Sequence, residues 1–155
     1  MRLQISTRLA LYSALMLAAD PRKQFAAAEI AARFGISVNH LAKVLRTLGK
    51  AGLVEAVRGA GGGYRFRGNV KRVTLLDVIQ LFEDFASADR SDDEPGATSD
   101  EGRALRRVRD ELDDVARATL SSITLATMLK LMKEPPASAE PAAAAPSPGR
   151  SQRGR

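Results

Sequence analysis

A mainly α fold is predicted by three features of this 155-residue chain. Two short helical patterns meet at a glycine, "FAAAEIAARFG" running straight into "ISVNHLAKVLRTLGKAGL". Two β-patterned runs, "LVEAV" and "YRFRG", flank "RGAGGG" directly behind them. A helical pattern of ~30 residues, enough for ~45 Å of helix, comes last. Together they predict a winged helix-turn-helix with a two-stranded wing and a long C-terminal dimerisation helix. The expected boundaries are a winged domain over 1–85, an acidic mobile loop over 86–101, a dimerisation helix over 102–133 and a disordered Pro/Ala-rich tail over 134–155.

The first helix spans "STRLALYSALMLAA" and stops at Asp20–Pro21, because proline disfavours helix at the residue before it. Its apolar run of 11 residues resembles a signal-peptide core. It is shorter than the ~20 residues a membrane span needs and leads on into further helical pattern, so a cytoplasmic protein is expected. In the second helix Ile30 and Phe34 share a face, and Gly35 is a natural terminator. Ser37 is the expected N-cap of the third helix, whose Leu41, Val44, Leu45 and Leu48 form an apolar stripe. Thr74 and Asp77 predict a capping box for "LLDVIQLFED". Thr98 and Glu101 predict another for the long helix, whose apolar side carries Leu105, Val108, Leu112, Val115, Leu120, Ile123 and Leu129. A winged domain is too small to cover that side, so a helix from a second copy is expected against it.

Composition narrows the chemistry. There is no cysteine, which removes disulfides and thiolate metal sites. Residues 1–73 carry 13 Lys and Arg against 3 Asp and Glu, whereas residues 74–134 carry 8 against 14. A basic front half points to a polyanionic partner. An enzyme is not expected. No nucleophilic cysteine exists, and the single histidine has no acid partner in a recognisable motif.

The glycines Gly59, Gly61, Gly62 and Gly63 invite comparison with phosphate-binding loops. A dinucleotide fingerprint fails: counted from Gly59 its third glycine falls on Tyr64, and counted from Gly61 on Phe66. No Walker string occurs, and the next element is a strand, so no helix N-terminus receives a nucleotide phosphate. The remaining reading is a hairpin tip that passes close to a DNA backbone, with Gly61, Gly62 and Gly63 at the contact and Arg58 entering a minor groove. In the third helix Ser37, Asn39, His40 and Lys43 occupy the turn that would face a major groove. Asn can bind adenine through two hydrogen bonds, and Ser and Lys serve phosphate or base. His40 serves a DNA contact or a capping role, since a metal site needs several ligands. No cofactor and no metal are expected.

The strings "GISVNHLAKVLRTLGKAGLVEAVRGAGGGYRF" and "VTLLDVIQLFED" resemble the Rrf-type bacterial winged-helix regulators, a family with NsrR, IscR and CymR branches, and most nearly the NsrR branch. The resemblance covers about residues 1–85 and the long helix. It implies a homodimer that reads a pseudo-palindromic double-stranded DNA operator, with Ser37 to Lys43 as the reading segment and Arg58 as the minor-groove arginine. Where IscR-type members place a base-reading Glu, this chain has Ala42, which implies a different operator. Cluster-bearing members hold iron–sulfur through three cysteines in the stretch that here reads "FASADRSDDEPGATSDEGRAL". NsrR-type members add an Asp near the start of the first helix, where this chain has Arg8. The carboxylates Asp89, Asp92, Asp93 and Glu94 are hard donors that do not replace thiolates. The expectation is a cluster-free DNA-binding transcriptional regulator, of repressing sign by the resemblance. The alternative is a winged-helix interaction module, or a regulator whose DNA binding depends on a partner protein or small-molecule effector.

Overall fold

The computed structural model describes residues 3–83 and 95–134. The elements run α1 (Ile5–Ala19), α2 (Ala27–Phe34), α3 (Val38–Lys50), β1 (Val54–Val57), β2 (Gly63–Phe66), α4 (Leu75–Ile79), α5 (Asp100–Ser122) and α6 (Leu125–Leu131). α1 is apolar nearly all round, and a helix of that kind belongs inside a core. It packs against α3, α4, β2 and α6 and buries Leu9, Leu11, Leu15 and Leu17.

The helix-turn-helix is built as its residues dictate. Gly35 closes α2 at φ 64°, and the Ile36 N–H returns to the Ala31 carbonyl at 3.0 Å. The chain then turns through Ser37, whose Oγ accepts the His40 N–H at 3.2 Å. α3 buries Leu41, Val44, Leu45 and Leu48 against the core.

β1 and β2 pair antiparallel with Val54 opposite Phe66, Glu55 opposite Arg65, Ala56 opposite Tyr64 and Val57 opposite Gly63. Two residues assigned to the second helix lie before it: Phe25 bridges to Tyr64, extending the wing's base by one rung, Ala26 is the extended N-cap, and α2 starts at Ala27. Thr74 and Asp77 form the expected capping box of α4, which ends earlier than its apolar pattern suggests.

The C-terminal helix differs from the expectation in two ways. Its N-cap is Ser99, not Thr98: Ser99 Oγ accepts the Gly102 N–H at 3.0 Å. Gly102 allows this because a Cβ there would strike the Gly96 and Ala97 carbonyls. The helix is also not continuous to Lys133. It breaks at Ile123, where the chain becomes extended and Thr124 bridges to Thr74. The Leu75 N–H donates to the Ile123 carbonyl and the Leu125 N–H to the Val73 carbonyl, both at 2.9 Å. Thr124 then caps α6, and Leu125 is fully buried in the core. The acidic carboxylates Asp89, Asp92, Asp93 and Glu94, and the tail from 135 onward, lie outside the described residues. Among the described residues no helix is long and apolar enough to cross a membrane.

Candidate nucleic-acid interface

Helical geometry divides α3 cleanly. At 100° per residue, Asn39, Lys43, Arg46 and Lys50 fall within about 60° of one another, opposite the four buried residues. All four are exposed. One side of the helix is therefore apolar and anchored, and the other is a polar and cationic stripe beginning at its first turn. Asn39 and Lys43 are among the residues expected from the sequence, and Arg46 and Lys50 join them on this face. The same periodicity that revealed the apolar face marks them, read for its complement.

The other residues expected in this turn are partly engaged within the protein. Ser37 is exposed, but its oxygen is committed to capping, which leaves its hydroxyl proton as the donor. His40 is half-buried, and its Nε2 is hydrogen-bonded to Ser6 Oγ on α1 at 3.2 Å. It faces α1 as well as solvent. Ala42 is half-buried.

The wing is fastened to the end of α3. The Leu53 N–H donates to the Leu48 carbonyl and the Gly52 N–H to the Gly49 carbonyl, each at 3.0 Å. Beyond β1, Arg58 is exposed and makes no ion pair with the described residues. Two arginines on the returning side of the wing, one on β2 and one just past it, are not in that state. Arg65 and Arg67 both lean on Glu55 across the strand pair, through Arg65 Nε to Oε1 and Arg67 Nη1 to Oε2 at 3.9 Å. Gly61 has φ 75°, a region L side chains avoid. At Gly62 and Gly63 the reason for glycine is internal. A Cβ on Gly62 would meet the Val57 carbonyl, and one on Gly63 the Phe25 carbonyl. The glycines thus shape the hairpin first, whatever approaches its tip.

Among the described residues no group of three or more His, Cys, Asp or Glu side chains is arranged to hold a metal. With no cysteine in the sequence, the residues present do not fit a thiolate-held iron–sulfur cluster. An open groove lined by Ala51, Leu53, Arg72, Val73, Asp77 and Leu81 runs beside the wing's root.

Residues 3–131 match the model of a family described as "Rrf2: Iron-dependent Transcriptional regulator". The HTH-type transcriptional regulator BadM of Rhodopseudomonas palustris is 52% identical over 134 residues, covering 85% of this chain and 83% of that protein. The HTH-type regulator NsrR of Shouchella clausii is 37% identical over 79 residues, 51% of each chain. Among solved structures, T. potens IscR superposes with a TM-score of 0.69 at 27% identity, covering 86% of this chain and 89% of that one. CymR of B. subtilis superposes with a TM-score of 0.70 at 24% identity, covering 84% and 98%, and supports the winged-helix fold.

Proposed function

The chain belongs to the Rrf2 family of transcriptional regulators, and from that premise we propose that it represses transcription as a homodimer bound to a pseudo-palindromic DNA operator, without an iron–sulfur cluster. The observation that carries this reading is the α3 stripe of Asn39, Lys43, Arg46 and Lys50, displayed by a buried apolar face and flanked by a wing with an exposed Arg58. Asn39 is suited to reading a base edge, and the three cations to positioning on phosphates. Arg58 is suited to a narrow minor groove. Gly61, Gly62 and Gly63 would let the wing pass close to the sugar–phosphate backbone.

Dimerisation is supported by α5. None of its residues is buried, although Leu105, Val108, Leu112 and Val115 are large and apolar, between 56% and 63% exposed. Their spacing of three, four and three is that of a helix–helix seam. A second copy supplies the matching helix and sets two reading helices on successive turns of one DNA face.

The cluster-free state rests on the absence of thiolates. Arg8 is exposed near the start of α1 and offers no carboxylate. The only histidine is bonded to Ser6. The repressing sign follows the family resemblance, and a cytoplasmic location follows from a DNA partner.

The test is binding to double-stranded fragments at increasing salt, for the wild type and Arg58→Ala. A DNA reader weakens steeply with salt, and losing one phosphate-proximal cation lowers the logarithmic slope by about 1. Binding that is insensitive to Arg58 and blind to sequence would favour a protein that needs a partner or an effector to read DNA.

A further inference from the structure

Three hydrogen bonds converge on the first turn of α1. The Glu83 Oε1 accepts the Gln4 N–H at 2.7 Å and the Thr7 hydroxyl at 2.6 Å. From the same turn, Ser6 Oγ is hydrogen-bonded to His40 Nε2 at 3.2 Å. Helix starts carry unpaired N–H groups, and Gln4, the N-cap of α1, offers no side-chain cap of its own. The Glu83 carboxylate, arriving just past α4, supplies an acceptor and places negative charge at the positive end of the helix dipole. Thr7 is 0% exposed, so its hydroxyl has no access to water, and Glu83 is the partner recorded for it.

The other end of the chain of contacts is the reading helix. His40 belongs to the first turn of α3, one residue after Asn39 and three before Lys43. Its backbone N–H is held by Ser37 and its ring by Ser6.

We infer that Glu83 is a positioning residue for α3: by capping the first turn of α1 it holds Ser6 where Ser6 can fix His40. This rests on the proposed DNA-reading role of α3. Without Glu83 the first turn of α1 loses its cap, Thr7 is left with a buried unpaired hydroxyl, and the Ser6–His40 bond loosens. Asn39 and Lys43 then explore a wider range of orientations.

His40 is the only histidine, so its ring resonances in the free protein are assigned without ambiguity. Ser6→Ala is expected to shift them, and Glu83→Ala to shift them in the same direction. Glu83→Gln, whose amide oxygen can accept both bonds, is expected to restore the wild-type position. Thr7→Val removes one of the two Glu83 bonds with little change of volume, and covers the case in which Glu83→Ala fails to fold. It is expected to give a smaller shift of the same sign. Glu29→Ala, on α2, is expected to leave His40 unchanged. A His40 signal that moves with Ser6→Ala but not with Glu83→Ala or Thr7→Val overturns the coupling. So does one that ignores Ser6→Ala.

The second readout is the ratio of affinity for the protein's selected site to that for random duplex. Glu83→Ala is expected to lower this ratio ~3–10-fold, the scale of one lost buried hydrogen bond, and Glu83→Gln to restore most of it. An unchanged ratio beside a shifted His40 overturns the positioning role. A wild type with no preference for any site fails the DNA-reading proposal instead, while the His40 shifts still report whether Glu83 reaches α3.

Discussion

Phe25 and Tyr64 exchange two backbone hydrogen bonds, the Phe25 N–H to the Tyr64 carbonyl at 3.0 Å and the Tyr64 N–H to the Phe25 carbonyl at 2.8 Å. This rung ties the segment before the helix-turn-helix to the wing behind it, so the two are one rigid unit at the wing's base. It requires close approach at Gly63, where a Cβ would enter the Phe25 carbonyl and crowd the Ala26 nitrogen. Backbone cannot swing aside as a flexible side chain does. Gly63→Ala is therefore expected to destabilise the fold by about 2 kcal/mol or more, read from the midpoint of urea unfolding. An unchanged midpoint would mean that the rung is dispensable.

Glu55 offers a test of the wing in the opposite direction. Its carboxylate engages both Arg65 and Arg67 and lowers the positive charge the wing presents. These pairs are exposed enough to contribute little to stability. Glu55→Gln is expected to leave thermal stability nearly unchanged while raising affinity for random duplex several-fold at low salt, with a steeper salt dependence. Binding titrations at two salt concentrations check this. Affinities of variant and wild type that match at both salt concentrations would show that Arg65 and Arg67 do not face DNA.

The α5 seam predicts assembly. Leu112→Lys puts a charge from each copy into an apolar contact, where it is neither paired nor hydrated. The variant is expected to sediment as a monomer while keeping the helical circular-dichroism signal of the winged domain. Its affinity for a two-half-site duplex then falls toward that for a single half-site. A dimer that survives Leu112→Lys would locate the interface elsewhere.

α6 is a structural closure, not an extension of the seam. Leu125 is fully buried beside the α1 core, and the Thr74–Thr124 bridge fixes its entry. Leu125→Ala is expected to cost about 2–5 kcal/mol, the usual range for a cavity of that size, measured by chemical denaturation. A cost below about 1 kcal/mol would indicate that α6 can detach without consequence for the core.

Most local signals are legible in the sequence, although the cap of the long helix falls on Ser99, one residue past the expected Thr98. The Ser37 cap, the Thr74–Asp77 box and the Leu41–Leu48 stripe each depend on residues three or four apart, and the structure has them all. What was hidden depends on distant partners. The apolar pattern through Leu120, Ile123 and Leu129 reads as one helix, yet Ile123 and Thr124 leave it to pair with a segment some fifty residues earlier. Phe25 looked helical because its bridge partner, Tyr64, lies in the wing. The Glu83–Thr7 bond spans a separation of 76 residues and has no sequence signature. Arg46 and Lys50 were hidden differently. Their periodicity is in the sequence as the complement of the Leu41–Leu48 stripe, but it falls in the later turns of α3, beyond Asn39 and Lys43.

The measurement that tests the central claim most directly is selection of genomic duplex fragments by the purified full chain in the presence of a chelator, followed by sequencing. The account predicts enrichment of a short pseudo-palindrome, its half-sites separated by about one helical turn, ~10 base pairs, and loss of that enrichment with Leu112→Lys. Capture that is blind to sequence and disappears as salt rises would contradict a cluster-independent, dimeric DNA reader.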